Sequence, residues 1–165
     1  MAKLFIKAQD LEEYDSVKIF NERGKEVYYT KDDFIATGHR IKIYLAETIN
    51  ECAYVQEKYT RDGICFEFAA RDKFGNIERD KRSSHQRYRI DFDEPWEIEG
   101  DAVIWQYVVY SGALEIMRVK SEPYLIQGQA LNMCETHIME FDNDSDVLIG
   151  LTFALAVYAL NKYQY

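Results

Sequence analysis

The sequence predicts a mainly β protein, a closed antiparallel barrel of about twelve strands around a buried, apolar C-terminal α-helix. Three observations lead there. Almost every apolar stretch before residue 142 alternates with period two and is rich in Tyr, Phe, Val and Ile, the pattern of half-buried strands. The run Val147 to Leu160 is apolar on every side and meets no charge until Lys162, so a helix there has to be surrounded. The strand count fits that demand, because eight strands close around side chains alone whereas about eleven or twelve make a can wide enough for a helix.

In chain order the candidate strands lie near Lys3 to Lys7, Ser16 to Phe20, Glu26 to Thr30, His39 to Leu45, Cys52 to Tyr59 and Gly63 to Ala69. They continue near Phe74 to Arg79, Gln86 to Phe92, Trp96 to Glu99, Trp105 to Tyr110, Ala113 to Lys120 and Leu131 to Glu140. Turn residues separate them. Asn21-Glu22-Arg23-Gly24-Lys25 supplies a glycine for a left-handed backbone, and Asp72-Lys73-Phe74-Gly75-Asn76 and Ser111-Gly112 read as further hairpin loops. A helix from about Asp144 to Lys162 is roughly 28 Å long at ~1.5 Å per residue, the height of a barrel built from tilted strands of about seven residues. One of Asp142, Asn143 or Asp144 can cap its first amides, and the acids suit the positive end of its dipole. As a membrane span the run is short, about 15 apolar residues against the ~20 needed, and it lacks a basic flank. A buried core helix is the expectation. The order of elements from Tyr28 to Lys58 echoes that from Trp96 to Lys120, either as an internal repeat or as the plain recurrence of hairpins.

At 165 residues and 47% hydrophobic, the chain is sized for one domain over 1–165 with a core that needs no staples. A net charge of −9 argues against nucleic acid as a partner and predicts repulsion from anionic membranes for the chain as a whole. Cys52, Cys65 and Cys134 are odd in number and scattered, so reduced thiols are expected rather than disulfides or zinc. The N-terminus, broken by Lys7 and Asp10, does not read as a signal peptide, and the cytoplasm is the default location.

Three segments together resemble a known family: Val17 to Tyr29, Trp96-Glu97-Ile98-Glu99-Gly100-Asp101, and the acidic lead-in to the apolar terminal helix. The chain resembles the LURP-one-related proteins of the tubby-like, phospholipid scramblase-like superfamily over nearly its whole length. Ser83 to Asp93 and Ser121 to Gln129 follow the pattern less closely. The resemblance implies a twelve-stranded barrel around a C-terminal helix. Relatives point two ways in function, tubby domains to phosphoinositide headgroups and scramblases to a calcium-responsive acidic segment. Neither site motif can be matched here residue by residue, so neither is carried over.

The chain's one basic concentration comprises Arg71, Lys73, Arg79, Lys81, Arg82, Arg87 and Arg89. With Tyr88, Ile90 and Phe92 facing in, Arg87 and Arg89 share an outer face about 7 Å apart, close enough to hold one anionic headgroup. The plainer alternative pairs these cations with Asp91, Asp93, Glu94, Glu97, Glu99 and Asp101. Asp142-Asn143-Asp144-Ser145-Asp146 mimics half of a calcium loop, but Val147 and Phe153 stand where that loop needs Gly and Glu, so a helix cap is the expectation. His39, His85 and His137 are isolated, Cys65 has no nearby base, and neither GxSxG nor HExxH occurs. No catalytic, metal or cofactor site is therefore predicted. The expected function is a non-enzymatic binding or scaffold module for an anionic lipid surface or a protein partner, without a transmembrane segment. The alternatives are a carrier of a small apolar ligand, a calcium-responsive scramblase-like protein or, third, an enzyme whose site converges from several loops.

Overall fold

A computed structural model describes residues 1–35, 38–61, 63–80, 88–128 and 133–163. Twelve strands make one sheet: β1 (Ala2–Lys7), β2 (Ser16–Asn21), β3 (Glu26–Ile35), β4 (Gly38–Leu45), β5 (Glu51–Thr60) and β6 (Gly63–Ala70), then β7 (Lys73–Arg79), β8 (Tyr88–Asp91), β9 (Trp96–Asp101), β10 (Gln106–Ser111), β11 (Leu114–Tyr124) and β12 (Cys134–Phe141). The order is β8-β7-β6-β5-β4-β3-β2-β1-β12-β11-β10-β9, and every neighbouring pair is antiparallel. β1 joins the two halves by pairing with β12 on one side and β2 on the other. The sheet curls until its edge strands β8 and β9 face each other across a seam, so the barrel is nearly closed rather than sealed.

Alternation decides what faces the axis. Ile41 and Ile43 of β4, Val55 of β5, Phe66 and Phe68 of β6 and Ile77 of β7 are buried, with polar residues between them turned outward. The axis is occupied by α2 (Val147–Lys162), which a 3-10 turn over Asp144–Asp146 introduces. Buried residues run round the whole helix from Leu148 to Leu160, and Phe153 packs edge-on to Phe68 and to Trp96, each at 5.2 Å. Burying a Phe or Leu here is worth about 2–3 kcal/mol each, which the all-apolar sequence of α2 makes available on every face. Asn143 supplies the cap: its Oδ1 accepts from the Ser145 amide at 3.1 Å and the Ser145 hydroxyl at 2.9 Å.

A second, smaller cluster lies on the outer side of the wall, where Phe5, Phe20, Ile138 and Ile126 are buried and Tyr124 stacks on Phe5 at 4.9 Å. Gly24, at φ 74°, lets the β2–β3 turn approach this cover; a Cβ there would lie 1.7 Å from the Gln127 carbonyl oxygen.

The structure departs from the sequence reading at four points. A short helix, α1 (Ala8–Glu13), follows β1, and it escapes periodicity because Leu11 is its one buried residue. The β6–β7 turn is Arg71-Asp72, with Arg71 at φ 58°, not the five-residue loop expected from Asp72 to Asn76. Gly75 belongs to β7, where a Cβ would press to 2.7 Å from the Phe68 ring, so it is small for packing and not for turning. Trp105 precedes β10 in a left-handed turn at φ 58° instead of opening the strand. Finally, counted from Asp144 to Lys162 the terminal helix has 19 residues, long and apolar enough by length and composition alone to cross a membrane; 67% of its most apolar window is buried inside the barrel.

Candidate functional site

The basic residues singled out by sequence do not form one surface. Lys81, Arg82 and Arg87, like His85, lie outside the described residues. The other four are divided between the ends of β7. Arg71 and Lys73 sit where α2 begins, and Lys73 Nζ is 3.3 Å from Glu94 Oε2. Arg89 is exposed on the outer face as expected, with Tyr88, Ile90 and Phe92 packed inward, and it is paired with Glu78 at 2.9 Å and Asp80 at 3.9 Å. Those partners come from the β7 side, so of the acidic strip only Glu94 takes one of the described cations. Arg79 shares the parity of buried Ile77 and turns into the barrel, where Nη2 donates to Asn161 Oδ1 of α2 at 2.8 Å.

A cavity of about 220 Å³ lies at the Arg71 end, and two more, with the unpartnered polar atoms of Glu57 and Asn161, lie at the other end of the barrel, where α2 emerges under α1. Tyr158 ties the two helices by donating its hydroxyl to the Leu11 carbonyl at 3.0 Å. On one side a cavity of about 240 Å³ is walled by Glu12 and Asp15, by Thr30 and Asp32 of β3, and by His39 of β4. Tyr163 closes its floor: the ring stacks on His39 at 3.6 Å and the hydroxyl donates to Asp32 Oδ2 at 2.6 Å. His39 Nδ1 lies 3.4 Å from Asp32 Oδ1, and its backbone amide donates to Glu57 Oε2 at 2.9 Å. Glu57 is 1% exposed, and its second oxygen has no partner. Burial first, and then the bond to Asp32, push the Tyr163 phenol above its ordinary range.

On the other side of Tyr158 a larger cavity, about 380 Å³, runs from Glu12 and Lys162 to Val103, Trp105, His137 and Asn161. His137 lies flat on Trp105 at 3.8 Å with Nδ1 3.1 Å from the Ser121 hydroxyl, and burial pulls its pKa down to about 4. It is a neutral, packed imidazole. Beneath this cavity Asn161 accepts from both Arg79 and the Tyr88 hydroxyl, while Tyr107 stands nearby in the core, its phenol raised by burial and by the Tyr88 charge.

No family model matches the chain, and neither a curated protein nor a solved structure matches it.

The thiols offer no nucleophile at either cavity: Cys65 is buried, and desolvation raises both it and half-buried Cys52 above the ordinary thiol range. The sequence reading places Arg79 in the basic concentration without showing that it faces inward, and does not single out Asn161. The available signal was parity, since Arg79 follows Ile77 by two, and the lone amide near the end of an otherwise apolar helix.

Proposed function

We propose that this protein is a non-enzymatic binding module of LURP-one-related, tubby-like kind, whose recognition surface is the barrel end where α2 emerges. The observation that carries the reading is the filling of the barrel by α2: Leu151, Phe153, Leu155 and Ala156 are wholly buried along the axis. An apolar carrier needs interior volume that these side chains occupy, so recognition falls to the ends and the outer wall. Between those, the α2 exit has hollows of about 240 and 380 Å³ and the unpartnered polar atoms of Glu57 and Asn161. Support for a non-catalytic role comes from its histidines, His137 stacked and neutral and His39 held between Tyr163 and Asp32.

An anionic lipid surface is the second reading, favoured by exposed Arg71 beside Phe74, which is 67% exposed, at the opposite end. Amide-resolved NMR of the full chain with a chemically diverse fragment set separates the two. Shifts clustered on Tyr158, Asn161, Lys162 and their neighbours support the mouth. Silence there, together with salt-sensitive flotation on phosphatidylserine vesicles, moves the site to the Arg71 end.

A further inference from the structure

The cavity of about 240 Å³ beside Tyr158 is rich in acceptors and short of donors. Four carboxylates line it, those of Glu12, Glu13, Asp15 and Asp32. Two segments bring them together, because the Asp32 amide donates to the Asp15 carbonyl at 2.7 Å and so fastens the chain after α1 to β3. Among the described residues none of the four pairs with a lysine or arginine. Asp32 meets His39 and the Tyr163 hydroxyl, and Glu13 accepts from Gln9 Nε2 at 3.1 Å. Thr30 supplies a second, independent observation. It is 3% exposed, stands on β3 two residues before Asp32 on the same inward side, and its hydroxyl makes no hydrogen bond to any described residue. Unlike Glu57 Oε1, that hydroxyl is not sealed in the core, because Thr30 lines the cavity. Its lone pairs are free to receive an N–H from whatever enters.

The cavity already attracts a cation of the chain's own. Lys162 Nζ lies 5.4 Å from the centre of the Tyr158 ring and 5.3 Å from that of Tyr163, two rings of the same wall. One lysine against four carboxylates leaves the lining net negative. A metal ion is the poorer fit, since among the described residues no group of three His, Cys, Asp or Glu side chains could hold one. The rest of the wall includes buried Leu11, Val17 and Ile41, which suit an apolar stem. The volume falls below the ~300–1,000 Å³ of sites for drug-sized ligands and matches one short chain. We propose that this cavity binds an organic monocation, an alkylammonium or alkylguanidinium head received by Thr30, Asp15 and Asp32, with its short stem on Leu11, Val17 and Ile41. A free amine and a lysine or arginine side chain of a partner protein offer the same chemistry. The inference rests on the mouth being the recognition surface and adds the ligand class.

The test is NMR titration of the full chain at fixed ionic strength with butylammonium and butylguanidinium, beside 1-butanol, butyrate and calcium. The expected result is saturable binding of the two organic cations that shifts the Thr30 methyl and the Tyr158 and Tyr163 rings. Butanol and butyrate should bind at least about tenfold more weakly. Asp15→Asn and Thr30→Val should each weaken butylammonium about threefold and leave butanol unchanged. Lys162→Met should tighten butylammonium about threefold, because a competing charge is gone. Butanol binding as tightly as butylammonium, calcium binding more tightly, or no change in both Asp15→Asn and Lys162→Met overturns the proposal. Asp15 and Lys162 are exposed, so these two variants decide even if Thr30→Val does not fold. A blocked lysine tripeptide that binds at least about tenfold more tightly than butylammonium supports the site and makes a partner protein the source; equal or weaker binding supports it with a free amine as the source. If neutral or anionic fragments shift mouth residues while no cation binds, the ligand class fails alone. If nothing binds at the mouth, both readings fail.

Discussion

Tyr163, the residue that ends α2, donates its hydroxyl to Asp32 Oδ2 at 2.6 Å across 131 positions of sequence. The bond ties the last turn of the axial helix to β3, and the His39 ring clamps it from the other face at 3.6 Å. Tyr163→Phe keeps the stack and removes the bond, so urea unfolding should show a loss of about 1 kcal/mol; Tyr163→Ala should cost more. The pH sign follows from the raised phenol. The folded state holds its proton more tightly than the unfolded chain, so this contribution is present below about pH 10 and declines as pH rises beyond it. Tyr107 acts in the same direction, and the alkaline decline should therefore be shallower in Tyr163→Phe but not abolished.

His137 makes the opposite prediction. Its pKa falls from 6.5 to about 4 on burial, so the unfolded chain takes up a proton that the folded chain refuses. Stability from this group is intact above about pH 6.5, is lost as pH falls towards 4, and amounts to about 3 kcal/mol over that window. Urea midpoints of the unaltered chain and His137→Gln at pH 7 and pH 4.5 should differ in slope, with the variant less acid-sensitive. Equal acid sensitivity contradicts the buried, neutral imidazole.

Gly150 sits where α2 touches β12. An added Cβ would lie 2.4 Å from Phe141 Cε1 and 3.3 Å from Met117 Sδ, both on fully buried side chains. Alanine gains about 1 kcal/mol of helix propensity but forces the Phe141 ring to move, at about 1–3 kcal/mol. Gly150→Ala should thus be destabilising by about 1 kcal/mol, and Phe141→Leu made in that background should cost less than it does alone. Additive losses would show that the two residues are not packed as described.

How much was legible follows from where patterning acts. Strands such as β4 and β7 were readable because one side faces the barrel axis and the other is turned outward, so period two is imposed on the sequence, although β1, β2 and β12 also bury outward Phe5, Phe20 and Ile138. α2 was readable from its lack of a polar face, since the barrel surrounds it. The position of the β6–β7 turn was not: Arg71 adopts a left-handed backbone that its side chain does not advertise, and Gly75 was small for Phe68 rather than for a turn. The candidate site was hardest. Counting basic residues gathered Arg71, Lys73, Arg79 and Arg89 into one patch, whereas strand parity sends Arg79 inside and Arg89 outside, and β7 separates the first pair from the second. Nothing local in the sequence tells that Asn161 will meet Arg79 and Tyr88, because 82 and 73 positions lie between them.

The central claim is that α2 is a permanent core, so that binding is left to the surface and above all to the mouth. Native-state hydrogen exchange of the Phe153 to Val157 amides, with and without phosphatidylserine vesicles, tests it most directly. The account predicts exchange only through global unfolding, with an opening free energy equal to that from urea and unchanged by vesicles. Exchange through a smaller, local opening, or loss of protection on adding vesicles, would mean that the helix leaves the barrel, and the filled-scaffold account would fall.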